Sequence, residues 1–301
     1  MQYCSFGKTG LRVSQLGIGA IGIRSDVDMP EAARLTQNML DLGCNLIDTA
    51  QCYTYSEEMI GKFLAHRRQD FILVTKCGHH RKNADGSQRS LPVSMIDIDQ
   101  ALTRLRTDHL DAMLLHSYDY DLLLEGEGLN VLLCAKRAGK IRFIGYSGDN
   151  ERAEWCAKQP EFDILEMSIN LFDQNNITSA LPEARRTEKG VIAKKPIANA
   201  AWRCLDNPGK AGEHWRKYLP RIRKMAVDPD DYGCRDMSEL ALRFTLSVAG
   251  VNTAIVSSRN AHHQQANVKA VESGALPERH LAELHNRFAQ ARGSSQWPAL
   301  N

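Results

Sequence analysis

Asn45-Leu46-Ile47-Asp48-Thr49-Ala50-Gln51-Cys52-Tyr53 is the stretch on which the fold turns. A short apolar run ends on a carboxylate, and a phenol follows in the connection to the next helix. Three other stretches repeat the design: Val74-Thr75-Lys76, Leu114-Leu115-His116 and Gly145-Tyr146-Ser147. Each follows or ends a short apolar run that reads as a β-strand. A barrel of parallel strands gathers separate strand ends onto one rim, where its enzymes keep their chemistry. Carboxylate, phenol, ammonium and imidazole would then meet in one pocket.

Working outward, residues 2–14 read as a hairpin, with Tyr3, Phe6, Leu11 and Val13 flanking the turn-rich Gly7-Lys8-Thr9-Gly10. It is expected to cover one barrel end. The first barrel strand is expected at 16–21, where glycines permit close approach of a ligand or another backbone. Its G-x-G is not completed to the dinucleotide pattern. A helix over 30–42 opens with Pro30, presents Leu35, Met39 and Leu42 on one face and stops at Gly43. Further strands are expected at 45–48, 71–76, 110–116, 141–147, 164–169, 191–195 and 253–257. Ser56 is expected to cap the helix carrying Ile60, Phe63 and Leu64. Residues 77–92 read as a polar loop, and Ser94 with Asp97 resembles a capping box for the helix of Ile98, Leu102 and Leu105. Helices are also expected near 127–138, 150–158, 177–188, 237–248 and 261–272, with a last amphipathic one carrying Leu281, Leu284 and Phe288. Segment 198–236, with its prolines, glycines and aromatics, breaks the rhythm. Strict strand–helix alternation predicts a (β/α)8 TIM barrel, one domain over residues 1–301, with an N-terminal β-hairpin and an extra C-terminal helix.

Composition excludes several classes. The 301 residues carry 43% hydrophobic and 25% charged side chains, as a soluble globular protein does. A net charge of +2 gives no electrostatic case for nucleic acid or a membrane surface. The chain has no apolar run of the ~18 residues that a membrane span needs. Its start, Met1 to Ser5, lacks the features of a signal peptide, and the 8 cysteines contain no C-x-x-C pair. A cytoplasmic protein with reduced thiols is expected.

The motifs together resemble the aldo-keto reductase family. The matching text is Asn45 to Ala50, Tyr53 with Ser56-Glu57, Val74 to Lys76, Leu105 to His116, Asn170 to Gln174, and Asn260 to Val268. The resemblance spans nearly the whole chain in the family's order and spacing. It implies reduction of an aldehyde or ketone to the alcohol with NADPH, on a small-molecule carbonyl substrate. In that reading Tyr53 is the proton donor. Lys76 favours loss of the phenolic proton because a nearby cation stabilises phenolate. Asp48 pairs with Lys76, and His116 orients the substrate carbonyl. Each residue alone would pass for an ordinary strand-end or loop residue; four at matching positions point to catalysis.

The resemblance also implies cofactor contacts from Gly19, Ala20, Ser147, Glu166, Asn170, Lys194, Pro196, Ile197, Ser257, Ser258, Arg259, His263 and Asn267. Three positions depart from the family. Gly148 stands where Asn is expected, Glu166 where Gln is usual, and Lys194 where an aromatic ring often stacks on the nicotinamide. After strand eight, Ser257-Ser258-Arg259 sits where the family holds the adenosine 2′-phosphate, and Arg259 offers a planar fork of donors suited to it. Cys77-Gly-His79-His80 has the residue types of a metal site but not the ligand number, and no metal is expected. Trp202, Trp215, Tyr118 and Tyr120 are candidates to line a substrate pocket. The alternatives are a cofactor-binding regulatory protein with little turnover, and a barrel isomerase or lyase using lysine as a Schiff base. Asp48 beside Lys76 argues against the latter, because pairing keeps the amine protonated.

Overall fold

A computed structural model describes residues 1–22, 28–82, 88–210 and 212–300. The chain opens with an antiparallel pair, β1 (Tyr3–Ser5) and β2 (Arg12–Ser14), around a 3-10 turn at Gly7–Thr9. The barrel strands are β3 (Leu16–Gly19), β4 (Leu46–Asp48), β5 (Ile72–Cys77), β8 (Leu110–His116), β9 (Ile141–Ser147), β10 (Ile164–Ser168), β11 (Gly190–Lys194) and β12 (Thr253–Val256). They pair in chain order, all parallel, and β12 closes on β3. Between β5 and β8 lies a two-stranded ribbon, β6 (His80–Lys82) with β7 (Gln88–Ser90). It replaces the loop expected at 77–92; that expectation also covers 83–87, which lie outside the described residues.

Two apolar layers follow from strand alternation. Leu46, Ile72, Val74, Ala112, Leu114, Ile164, Ile192 and Ile255 form the inner cluster together with Phe6 and Val13 of the hairpin. The hairpin therefore plugs the end of the barrel at which the strands begin, as expected from 2–14. Phe6 has no exposed surface, and a Cβ at Gly190 would sit 2.7 Å from its ring. Burying such a ring is worth roughly 1.5–3 kcal/mol. A second, larger cluster joins the outer faces of the strands to the helices.

Several local expectations need correction. Ser56 does not cap a helix: it is the first residue of Ser56–Phe63, and its hydroxyl pairs with Thr49 Oγ1 at 2.6 Å. The first strand stops at Gly19, and Ala20–Gly22 turns as a 3-10 helix. The helix expected at 177–188 is two pieces, Asn175–Thr178 and Ala180–Arg186, broken at Ser179. Segment 198–236 is a chain of short helical turns, among them Ala198–Cys204, Leu219–Met225 and Pro229–Tyr232. The capping box forms as read, with Ser94 N and Oγ both 2.8 Å from Asp97 Oδ2. The last helix, Glu278–Arg292, buries Leu284 and Phe288. Among the described residues no helix is long and apolar enough to cross a membrane.

Candidate active site

The inner face changes character at the ends of the strands. Asp48 lies two residues beyond Leu46, Lys76 beyond Val74, His116 beyond Leu114, Glu166 beyond Ile164 and Lys194 beyond Ile192. Each pair points inward by the period of a strand, so a polar layer caps the apolar one. Asp48, Lys76, His116, Ser147 and Glu166 are all buried.

Lys76 organises this layer. Its Nζ donates to Asp48 Oδ1 and, at 3.0 Å, to the carbonyl of Thr49. It also lies 3.2 Å from Glu166 Oε2, an ion pair whose oxygen makes no hydrogen bond. The other Glu166 oxygen accepts from Ser147 Oγ at 3.1 Å. Burial alone would lower the Lys76 ammonium, but Asp48 and Glu166 outweigh it and hold the ammonium up. Burial and the neighbouring Glu166 push Asp48 well up against the pull of Lys76.

Tyr53 joins from the loop after β4. Lys76 Nζ sits 5.3 Å from its ring centroid, and His116 meets the ring edge-on at 6.0 Å. Burial raises the Tyr53 phenol; Lys76 opposes that shift, while Asp48 and Glu166 reinforce it. Burial, then Lys76, hold His116 well below the ordinary imidazole range, so its ring is neutral. The structure thus brings Asp48, Tyr53, Lys76 and His116 into one cluster. Backbone strain collects at the same rim. Thr54 (φ 51°), Ser117 (φ 51°) and Lys195 (φ 54°) are left-handed non-glycines directly after Tyr53, His116 and Lys194. Each costs of order 1–3 kcal/mol, the sort of expense that functional sites carry.

The expected cofactor positions divide. Gly19, Ala20, Ser257, Ser258 and Arg259 line one cavity of about 240 Å³ beside the first helix, Met29–Asp41. Ser257 Oγ accepts from Gly22 N at 3.1 Å and Arg259 Nε donates to the Gly22 carbonyl at 3.0 Å, which ties the two loops together. Ser147, Glu166 and Lys194 stand on the rim of the polar layer. Asn170 is folded inward: its amide meets Tyr218 Oη at 3.3 Å and its carbonyl oxygen accepts from Phe172 N at 2.9 Å. The Pro196 carbonyl is taken by Thr245 Oγ1 at 3.2 Å, and Ile197 packs on the core. His263 and Asn267 lie on Ala261–Glu272, the first exposed and the second buried, and neither lines the cavity. Tyr118 is packed into the core rather than lining a pocket.

Sequence reasoning missed three groups of residues. Asp149 is a buried hub, accepting from Ser168 N at 2.6 Å and Asn176 Nδ2 at 2.8 Å and pairing with Lys194 Nζ at 3.1 Å. Gln264, Asp28 and Glu31 line the cavity with Arg259. A terminal strap crosses the rim: Leu300 N donates to Asp173 at 2.8 Å, the Leu300 carbonyl accepts from Lys195 at 2.6 Å, and Ala299 N donates to Asn150 at 2.7 Å. The strap sequence carries no signal of this. The Gly148 departure has a steric reason, since a Cβ there would lie 2.4 Å from Tyr146 Oη.

The chemistry fits a nicotinamide dinucleotide. Glu166 Oε2, buried and making no hydrogen bond beside its ion pair with Lys76, suits an amide NH₂, and the serine and arginine groups of the cavity suit a phosphate. The comparisons agree. The model of the Aldo/keto reductase family matches residues 15–286. L-galactose dehydrogenase of Arabidopsis thaliana is 28% identical over 98% of this chain and 96% of its own. The NADP(+) aryl-alcohol dehydrogenase of Phanerodontia chrysosporium is 24% identical over 89% of this chain and 81% of its own. Among solved structures, the holo form of an aldo-keto reductase from Bacillus halodurans superposes with a TM-score of 0.76 at 26% identity, covering 97% of this chain and 96% of that one.

Proposed function

The chain belongs to the aldo/keto reductase family, NAD(P)H-dependent oxidoreductases of carbonyls, and from that premise we propose that it reduces an aldehyde or ketone with NADPH, using Tyr53 as the proton donor. The observation that carries this reading is the placement of Lys76: paired with Asp48 on one side, over the Tyr53 ring on the other. Reduced nicotinamide, when bound, supplies a hydride to the carbonyl carbon. Tyr53 gives its phenolic proton to the carbonyl oxygen. Lys76 stabilises the phenolate left behind and works against the burial that raises the phenol. His116, neutral, donates an N–H to the same oxygen and orients it. Glu166 and Ser147 would hold the carboxamide, with Glu166 as acceptor only. Run backwards, the same groups oxidise an alcohol.

Ser257, Ser258 and Arg259 support NADPH, since they offer donors where a 2′-phosphate would lie. Asp28 on the same cavity supports a second reading, NADH, because a carboxylate suits a ribose diol and repels a phosphate. The names of the relatives suggest the test panel: aldoses, aromatic aldehydes and their alcohols. Oxidation or reduction is followed by nicotinamide absorbance with each cofactor, in wild type and Tyr53→Phe. A panel without any turnover by wild type would overturn the proposal.

A further inference from the structure

We propose that Cys52, His79 and His116 form a site for a thiophilic divalent cation such as Zn²⁺, and that its occupation shuts off the catalytic pocket. The inhibitory part rests on the carbonyl-reduction reading above; the binding part does not. One ligand atom from each of the three residues lies within 4.8 Å of the others. Cys52 Sγ is 3.5 Å from His116 Nδ1. With Zn–S near ~2.3 Å and Zn–N near ~2.05 Å, a tetrahedral ion sets sulfur and nitrogen about 3.6 Å apart and two nitrogens about 3.3 Å apart. The Cys52–His116 pair is therefore already spaced for a shared ion. The His79 ring lies against His116 with centroids 4.4 Å apart and a tilt of 37°, and its Nδ1 is buried without a hydrogen-bond partner. Cys52 sits in an exposed turn, so modest side-chain rotation closes the remaining gap.

The neighbouring residues of the same type are committed elsewhere. His80 Nε2 meets Asp119 Oδ1 at 2.9 Å, and the Cys77 thiol is buried against the Leu114 carbonyl at 3.9 Å. The motif Cys77-Gly-His79-His80 thus contributes only His79, and the other two ligands come from the turn after β4 and the last residue of β8. Three protein ligands leave a fourth position open, as catalytic zinc sites do. On binding, the Cys52 S–H bond breaks, its proton goes to solvent and an S–Zn bond forms; no electrons change hands. The ion would occupy His116 and stand between it and a carbonyl, so inhibition should be competitive with the carbonyl substrate.

The test uses chelator-treated full-length protein. Co²⁺ serves as a spectroscopic stand-in, because a thiolate ligand gives a sulfur-to-cobalt charge-transfer band that needs no turnover to be seen. The band is expected in wild type and in Cys134→Ser, whose thiol is exposed but distant in sequence from the cluster, and is expected to vanish in Cys52→Ser. Zn²⁺ affinity by calorimetry should fall at least ~100-fold in Cys52→Ser and clearly in His79→Ala, since even outer-shell partners are worth ~10–100-fold. In activity assays Zn²⁺ should inhibit wild type competitively, with at least ~100-fold weaker inhibition of Cys52→Ser. No band in wild type, or equal zinc affinity in wild type and Cys52→Ser, overturns the site. A Cys52-dependent band with zinc-insensitive turnover overturns the inhibitory role. Should no carbonyl be reduced at all, the cobalt and calorimetric results still decide the binding claim.

Discussion

Lys76 is shared by two carboxylates: its Nζ donates to Asp48 and lies 3.2 Å from Glu166 Oε2. The second carboxylate stands where the family usually places an amide. Asp48 and Glu166 both raise the Tyr53 phenol, while Lys76 lowers it. Removing the Glu166 charge should therefore lower the phenol. Carbonyl reduction needs the protonated phenol and is lost as pH rises through that value. Glu166→Gln should then move the alkaline limb of kcat/KM for reduction to lower pH, and cofactor should bind at least as tightly as in wild type, because Gln can also donate to the carboxamide oxygen. A limb that stays in place or moves up shows that Glu166 does not act on Tyr53.

Tyr53→Phe removes the proposed proton donor and little else. Turnover should fall at least ~10²-fold, the lower end for general acid catalysis. Cofactor affinity, read by fluorescence titration, should change little, since the hydroxyl acts on the substrate oxygen. Unchanged turnover would take Tyr53 out of the mechanism. Lys76→Met is the harsher change: it leaves Asp48 and Glu166 facing each other in a buried site, and breaking a buried pair costs about 3–5 kcal/mol. It should abolish activity and lower Tm together.

Much of this was legible in the sequence because strand alternation fixes direction. Once Leu46, Val74 and Leu114 are read as inward, Asp48, Lys76 and His116 must follow them inward two residues on. The pocket is then a consequence of period and closure. What the sequence hid depends on contacts between segments far apart in the chain. Asp149 reads as a turn residue until Ser168, Asn176 and Lys194 are seen converging on it. Cys52 and His79 belong to separate loops, and only the barrel rim brings both to His116. The ribbon β6–β7 has a polar sequence with no apolar alternation, so pattern could not separate it from a loop.

Tyr146 shows why position 148 holds a glycine. A Cβ at Gly148 would lie 2.4–2.5 Å from the Tyr146 hydroxyl and ring carbons, and Tyr146 is fully buried. Gly148→Ala should destabilise by about 1–3 kcal/mol, the usual range for overpacking. Tyr146→Leu alone should also destabilise, by leaving a void. The double variant should lose clearly less than the sum, because each change relieves the other. Additive losses in denaturant midpoint would show that the clash is absorbed elsewhere.

Asp173 gives a pH-dependence of stability with a definite sign. Burial and the nearby Asp149 push it up to about 7, against the Leu300 N–H and Arg221. Its pKa is thus raised above the unfolded value of about 3.8–3.9. Between those values the folded state holds more protons than the unfolded one, so stability falls as pH rises from about 4 towards 7. Asp173→Asn removes this titration. Comparing Tm at pH 5 and pH 8, the drop should be smaller in the variant than in wild type. An equal or larger drop would mean that Asp173 keeps an ordinary value.

The cofactor preference rests on which wall of one cavity dominates. Arg259, with Ser257 and Ser258, offers donors to a 2′-phosphate; Asp28 and Glu31 line the same cavity. Glu31 is held by Arg34, whose Nε and Nη2 donate to its two oxygens, each at 2.7 Å. Among the described residues that line the cavity, that leaves Asp28, at the start of the helix Met29–Asp41, as the carboxylate able to oppose a phosphate. A charge-assisted hydrogen bond from Arg259 is worth roughly 1.5–3 kcal/mol, or about ten- to hundredfold in affinity. NADH has no 2′-phosphate and would gain nothing there. Dissociation constants for both cofactors should therefore favour NADPH in wild type. Arg259→Ala should weaken NADPH by about ten- to hundredfold and leave NADH nearly unchanged. Asp28→Asn should tighten NADPH, because it removes the opposing charge. If instead NADH binds more tightly in wild type and Asp28→Asn weakens it, Asp28 reads the ribose diol and the protein is an NADH enzyme. If Arg259→Ala weakens both cofactors equally, its guanidinium serves the Gly22 tether and not the phosphate.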